Sequence, residues 1–242
     1  MPRANRCFLP GQIWHITHRC HNKSFMLKFS RDRESYLSWL FEARKRFGLC
    51  VLDYSVTCNH VHLLVKDPGG DAIARSMQLV AGRIGRDFNR RRNRQGAFWE
   101  DRYHAAAIEA DEHLRHCLVY IDLNMVRAGV VRHPVEWPHG GYRDIQNPRM
   151  RYRLIDLGEV TAACGFSRVC DFQAAHREWV VQALAQNTLN RDERWSQAIA
   201  VGSETFVTRL QNELGSAASG REIITLGRTS VLREETSAYG LK

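Results

Sequence analysis

The 242-residue chain contains no run of eighteen apolar residues, so no membrane-spanning helix is expected. Its first stretch, "MPRANRCFLPGQIW", lacks the apolar core of a secretory leader. There is no internal repeat, which excludes a solenoid. Seven cysteines are present, but they form no C-x-x-C and no even framework. A disulfide scaffold is thereby excluded, and a soluble protein of a reducing, cytoplasmic compartment is expected. Acidic residues are also short: 26 Asp and Glu stand against 35 Lys and Arg, a net charge of +9.

What is there is an ordinary globular composition, 44% hydrophobic and 25% charged. The excess positive charge, with a pI near 9.5, points to a polyanionic partner. It is concentrated in the arginine-rich run "RIGRDFNRRRNRQG" (83–96) and in the N-terminal stretch up to Lys28.

Alternation in "QIWHITHRC" (12–20) predicts a strand. Leu37, Leu40, Phe41, Arg44 and Phe47 recur at helical spacing, with Ser30 as a candidate N-cap and Gly48 just past the end, so a helix is expected over 31–47. "LCVLDYSVT" (49–57) and "HVHLLVK" (60–66) read as two strands around a short turn. Ile73, Met77, Val80, Ile84 and Phe88 mark a second amphipathic helix over 71–91. A fourth strand is expected near 103–109. A helix over 112–127 follows, opened by Asp111 and ended by Gly129.

The order predicts an α+β fold: a ferredoxin-like βαββαβ antiparallel sheet with one added, tyrosine-bearing helix. "RHPVEWPHGGY" (132–142) reads as loop, and the core is expected to end near residue 145. Residues 146–242 read as a mainly helical C-terminal region. It has a helix over 172–186, a helical stretch over 192–215 split at Gly202-Ser203, and a weakly ordered tail from 216.

The chemistry centres on "CNHVHLLV" (58–65). On a strand, residues i and i+2 share a face, so His60 and His62 project together. Two neutral imidazoles side by side form half of a divalent-metal site; the bland alternative is a pair of structural or surface histidines. The helix at 112–127 carries His113, His116, Tyr120, Asn124 and Arg127 on one face. The amide oxygen of Asn124 is a hard neutral ligand suited to Mg²⁺ or Mn²⁺. One turn away, Tyr120 offers a phenol that can act as a nucleophile.

"CNHVHLLV" followed by "YIDLNMVRAGVV" (120–131) resembles the paired motifs of the single-tyrosine HUH transposases, the IS200-like group. "WHITHRCHNKSFMLK" (14–28), "FNRRRNRQGAFWEDRYHAAAI" (88–108) and "EWPHGGYRD" (136–144) match as well. Within that group the chain is most similar to the REP-associated tyrosine transposases, and the likeness covers roughly residues 8–145. The resemblance makes 1–145 a catalytic domain. It implies that His60, His62 and Asn124 bind a divalent metal, Mg²⁺ or Mn²⁺, which polarises a scissile phosphate of single-stranded DNA. Tyr120 then attacks, leaving a 5′-phosphotyrosine and a free 3′-OH. His116, one turn earlier, is a candidate proton-transfer helper. Two departures are visible: asparagine stands where many relatives have glutamine, and Met125 where many have proline.

The expected partner is therefore single-stranded DNA folded into palindromic hairpins. This places the protein with the nucleoid and leaves monomer and dimer open. Arg19, Lys23, Arg90, Arg91, Arg92, Arg94, Arg102 and Arg127 are the candidate DNA-binding residues. Phe98, Trp99 and Tyr103 interleave with them and are candidate stacking platforms or core. Tyr103 is the rival nucleophile, on a strand and without a ligand-type residue one turn on. The alternative to an enzyme is a domesticated protein that binds repeat DNA without moving it. An unrelated metal hydrolase is a weaker third reading, since it leaves Tyr120 and the basic surface unexplained.

Overall fold

The computed structural model describes residues 8–186 and 192–234. The first half is β1 (Ile13–Arg19), α1 (Ser30–Phe47), β2 (Cys50–Val56), β3 (His60–Lys66), α2 (Ala72–Arg91) and β4 (His104–Ile108). β1 lies between β3 and β4, and β2 is the outer strand, all antiparallel. This is the ferredoxin-like arrangement expected from the element order. Gly48 ends α1 in the left-handed conformation, at φ 69°. Ser30 is the first residue of α1 rather than its cap, and its hydroxyl donates to Glu34.

The pairing register sorts the side chains onto two faces. Thr17 stands opposite His62 and His15 opposite Leu64, so His15, Thr17, His60 and His62 share one face. Trp14, Ile16, His18, Val61, Leu63 and Val65 share the other. The ring of Trp99 stacks on His18 at 3.8 Å, touches Tyr36 of α1 and donates to the Ala81 carbonyl of α2. α1 and α2 therefore cover the second face. Its buried Ile16, Leu63 and Val65 each stabilise the fold by about 1.5–3 kcal/mol.

The histidine face is covered by α3 (Glu112–Asp122) and the short α4 (Asn124–Arg127). The sequence predicts one helix over 112–127. The structure breaks it at Leu123, where ψ turns to 4° while backbone bonds from Leu123 and Arg127 continue the helical pattern. The stretch 132–142, read as loop, contains a single 3-10 turn at Pro134–Glu136, and α5 (Gly141–Gln146) follows.

The C-terminal region departs further from expectation. α6 (Leu157–Ala163) and α7 (Val169–Ala185) precede α8 (Arg194–Gln197), β5 (Ala200–Gly202), α9 (Glu204–Leu214), β6 (Arg221–Leu226) and β7 (Thr229–Glu234). β5 pairs parallel to β4, and β7 and β6 continue outward, giving a seven-stranded sheet in the order β2-β3-β1-β4-β5-β7-β6. The fold is thus α+β throughout, with three strands in a region read as mainly helical. "AVG" is too short to show a period of its own. The open edge of β4 decides its state, because an unpaired edge offers backbone bonds to any neighbouring extended segment. Ser203 does cap α9, accepting from the Phe206 amide as expected. Residues 221–234, read as tail, form a hairpin that buries Val231 and Leu232. The rest of the predicted tail, 235–242, lies outside the described residues.

Candidate functional site

A cleft of about 680 Å³ opens where β1, β3, β4 and α3–α4 meet. His60, His62, Tyr120 and Asn124 all line it, together with Arg19, Lys23, Arg102 and Arg127. Strand pairing explains the histidines' side of the cleft, since β3 begins at His60 after the turn at Thr57–Asn59. The Thr57 hydroxyl accepts from the His60 amide at 3.1 Å and donates to its carbonyl at 2.7 Å. His60 Nδ1 lies 2.7 Å from Asn59 Oδ1, and as donor there it leaves Nε2 as the lone-pair nitrogen.

His62 is held more tightly. Its Nδ1 lies 2.9 Å from Nε2 of His15, and its own Nε2 lies 2.9 Å from the Asn124 amide. With Nδ1–H donating to His15, the Nε2 lone pair faces Asn124. His15 is a residue the sequence reading missed. It sits in "WHITHR" on the neighbouring strand, and its only signal is the same period of two that pairs His60 with His62. Burial pushes the His15 imidazole down to about 3, with His104 adding to the effect. Burial, reinforced by His60 and His15, also holds His62 well below the ordinary histidine range. Both rings are therefore neutral, which is the form a metal requires.

Tyr120 packs edge-on to this pair, its ring 5.8 Å from that of His62 and 6.3 Å from that of His15. Its other neighbours are Trp195, at 5.8 Å, and the Arg127 guanidinium, 4.1 Å above the ring. Arg127 also donates to the Tyr120 carbonyl at 2.6 Å, so one residue of α4 grips the last turn of α3. Trp195 lies in the C-terminal region, and sequence reasoning had no route to it.

Between Tyr120 and Asn124, Asp122 points the opposite way. It bonds to the buried His176 of α7 at 2.8 Å. Burial raises the carboxyls of Asp122 and Asp53 well above the ordinary carboxylate range.

The remaining candidates are scattered. Arg91 pairs with Asp32, Arg94 bonds to Asn89 and to the Ala97 carbonyl, and Arg92 lies 5.2 Å from the Phe29 ring. Arg90 is exposed beside Asp87. These four sit at the end of α2 and beyond it, away from the histidine cleft. Phe98 is core, and Trp99 is half-buried against His18. Tyr103 lies just before β4, its ring 6.2 Å from His18 and so on the helix-pair side. His116 is exposed and lines a second groove on the far side of Tyr120, away from the histidines.

The donor set can be tested for fit to a divalent ion. Ligands at right angles around a cation bound at about 2.1 Å stand about 3 Å apart, and His62 Nε2 and the Asn124 amide stand 2.9 Å apart. Turning the amide would put its oxygen there. The His62–Asn124 spacing fits two ligands of one divalent ion, with His60 on the same face of β3 as the third candidate donor. Among the described residues, no three His, Cys, Asp or Glu form a group that could hold a metal ion. No helix among the described residues is long and apolar enough to cross a membrane.

Fold and site together define a class: a ferredoxin-like sheet presenting an imidazole pair to a phenol and an amide on a facing helix. Residues 10–124, just under half of the chain, match the family described as "Transposase IS200 like". The matched stretch runs from β1 to the first residue of α4 and supports an enzyme role. No curated protein matches the chain. Among solved structures, it is similar to a REP-associated tyrosine transposase bound to a REP hairpin, with TM-score 0.50 and 20% identity over 64% of this chain and 94% of that one. That likeness is one of fold. A putative transposase from Deinococcus radiodurans R1 matches at TM-score 0.36 and 16% identity, over 48% of this chain and 92% of that one.

Proposed function

We propose that the protein is a transposase that cleaves and rejoins single-stranded DNA at REP-like hairpins through Tyr120. The observation that carries this is the meeting of four residues in one basic cleft: His60 and His62 from β3, and Tyr120 and Asn124 from α3 and α4. The similar REP-associated enzyme is bound to a REP hairpin, which supports a hairpin as substrate here.

In this reading the Tyr120 phenol oxygen bonds to phosphorus and the bond to the 3′ oxygen breaks. The phenol proton leaves, and the departing 3′ oxygen takes one up. A Mg²⁺ or Mn²⁺ ion held by His60, His62 and Asn124 would neutralise charge on the phosphate. Arg127, above the phenol ring, favours the phenolate and places a second positive charge at the phosphate. Arg19, Lys23 and Arg102 hold the flanking backbone. The exposed Arg90 and Arg92 lie far enough from the cleft to contact a duplex stem. His116 faces the other groove, so any proton transfer through it acts from that side.

The test is a covalent adduct. Purified protein with Mn²⁺ and a hairpin oligonucleotide should give a denaturation-resistant complex, lost in Tyr120→Phe with binding retained. An equal yield from Tyr120→Phe removes Tyr120 from the mechanism. Tight binding without any adduct from the wild type selects the domesticated binding protein instead.

A further inference from the structure

Tyr120 borders two grooves. A second groove, of about 570 Å³, lies between α3, α7 and α8, and Tyr120 and Arg127 line it as they line the first cleft. Trp195, which packs against the Tyr120 ring, is also part of its wall. Further along stands Trp179 of α7, half-buried, with the Arg115 guanidinium 5.4 Å from its ring centre. Arg194 contributes a cation already paired with Asp192, so Arg115 and Arg127 supply the groove's net positive charge.

We propose that this groove holds the single-stranded DNA segment on one side of the scissile phosphate, while the histidine cleft holds the other side. The inference rests on the strand-cleavage reading of Tyr120 and adds the path of the strand. A polynucleotide attacked within its length must leave the nucleophile in two directions. Here two grooves meet at one phenol and share one arginine. Trp179 and Arg115 form a planar, cationic platform of the kind that stacks an unpaired base and contacts its phosphate without reading sequence. Trp179, Arg194 and Trp195 lie outside the family-matched residues, so the C-terminal region supplies one wall of this subsite, and Arg115 and Tyr120 of the matched stretch supply the other.

The experiment varies the flank. Hairpin oligonucleotides carry a single-stranded extension of two or eight thymidines on the 5′ or the 3′ side, and affinity is read by fluorescence anisotropy. Wild-type protein should bind the long form about tenfold more tightly on one side only. Arg115→Glu and Trp179→Leu should lose that gain while keeping wild-type affinity for the short form; Trp179→Phe should keep most of it. Arg209→Glu, an exposed reversal on α9, serves as the charge control and should change neither. A bromouracil in the long flank should cross-link to the peptide containing Trp179. If Arg115→Glu and Trp179→Leu bind both forms as wild type does, or if wild type shows no gain on either side, the groove is not a strand path. The strand-cleavage reading fails separately: a wild-type flank gain without a covalent adduct would leave the groove standing and remove the chemistry.

Discussion

The two faces of the sheet share the same strands and differ in almost everything else. On the α1–α2 face of the strands, Ile16, Leu63 and Val65 are buried against the helices, with the buried His18 ring stacked on Trp99 beside them. On the α3 face, His15, Asp53, Ser55 and His62 are buried just as deeply. The first face stabilises by removing apolar area from water. The second buries polar groups, a cost it offsets with hydrogen bonds that hold one chemical arrangement. One set of β-strands thus separates stability from chemistry by the alternation of side chains.

Neighbouring residues on β3 give the largest test of that separation. His62→Ala should lower adduct formation at least about 100-fold, with Mn²⁺ binding lost when followed by electron paramagnetic resonance. Leu63→Ala should instead cost about 2–5 kcal/mol of stability in a urea titration, with chemistry surviving in the folded fraction. The division fails if both lose activity and stability equally.

Gly141, at the start of α5, tests the buried polar side of the α3 face. A Cβ there would enter the Asp53 carboxylate and crowd the Tyr54 amide at 3.1 Å. Gly141→Ala should destabilise by about 1–3 kcal/mol, measured by denaturant midpoint. An unchanged midpoint would show that this packing yields freely.

His15→Leu sharpens the comparison, because it makes one position of the α3 face apolar. It removes the partner that orients His62, so metal affinity should fall about 10–100-fold, read by titration calorimetry. Unchanged affinity would mean that Asn124 alone aligns the ring.

The smallest effect is on acid stability. Burial, with Arg33 nearby, pushes the His139 imidazole down to about 4, below its ordinary value of 6.5. The unfolded chain therefore binds the extra proton first. Stability from this residue is complete above pH 6.5 and is lost as pH falls toward 4. His139→Gln should flatten that acid limb of the melting temperature, by about 2–4 °C for each kcal/mol involved. An identical limb would assign it to other groups.

Strands β1 to β4 and helices α1 and α2 were legible in the sequence because each is long enough to show its period. His60 and His62 were legible as a pair for the same reason, and Tyr120 with Asn124 by helical spacing. His15 was not, since register between two strands places it, and register is a long-range property. The break at Leu123 and the Arg127 grip were equally hidden, because helix spacing alone leaves 112–127 continuous. The arginines at 90–94 illustrate the reverse. Composition marked all four, and the fold committed Arg91 to Asp32 and Arg94 to its own loop.

The sequence by itself determined the ferredoxin-like core and the candidate site residues that meet in one cleft, since local periodicity sets which side chains share a face. Tertiary structure alone decided that the C-terminal region would extend the sheet through β5, β7 and β6, and bring Trp195 against Tyr120. The physical reason is that a three-residue strand has no pattern of its own. Its state is set by the open edge beside it, and that edge exists only once β4 has paired with β1.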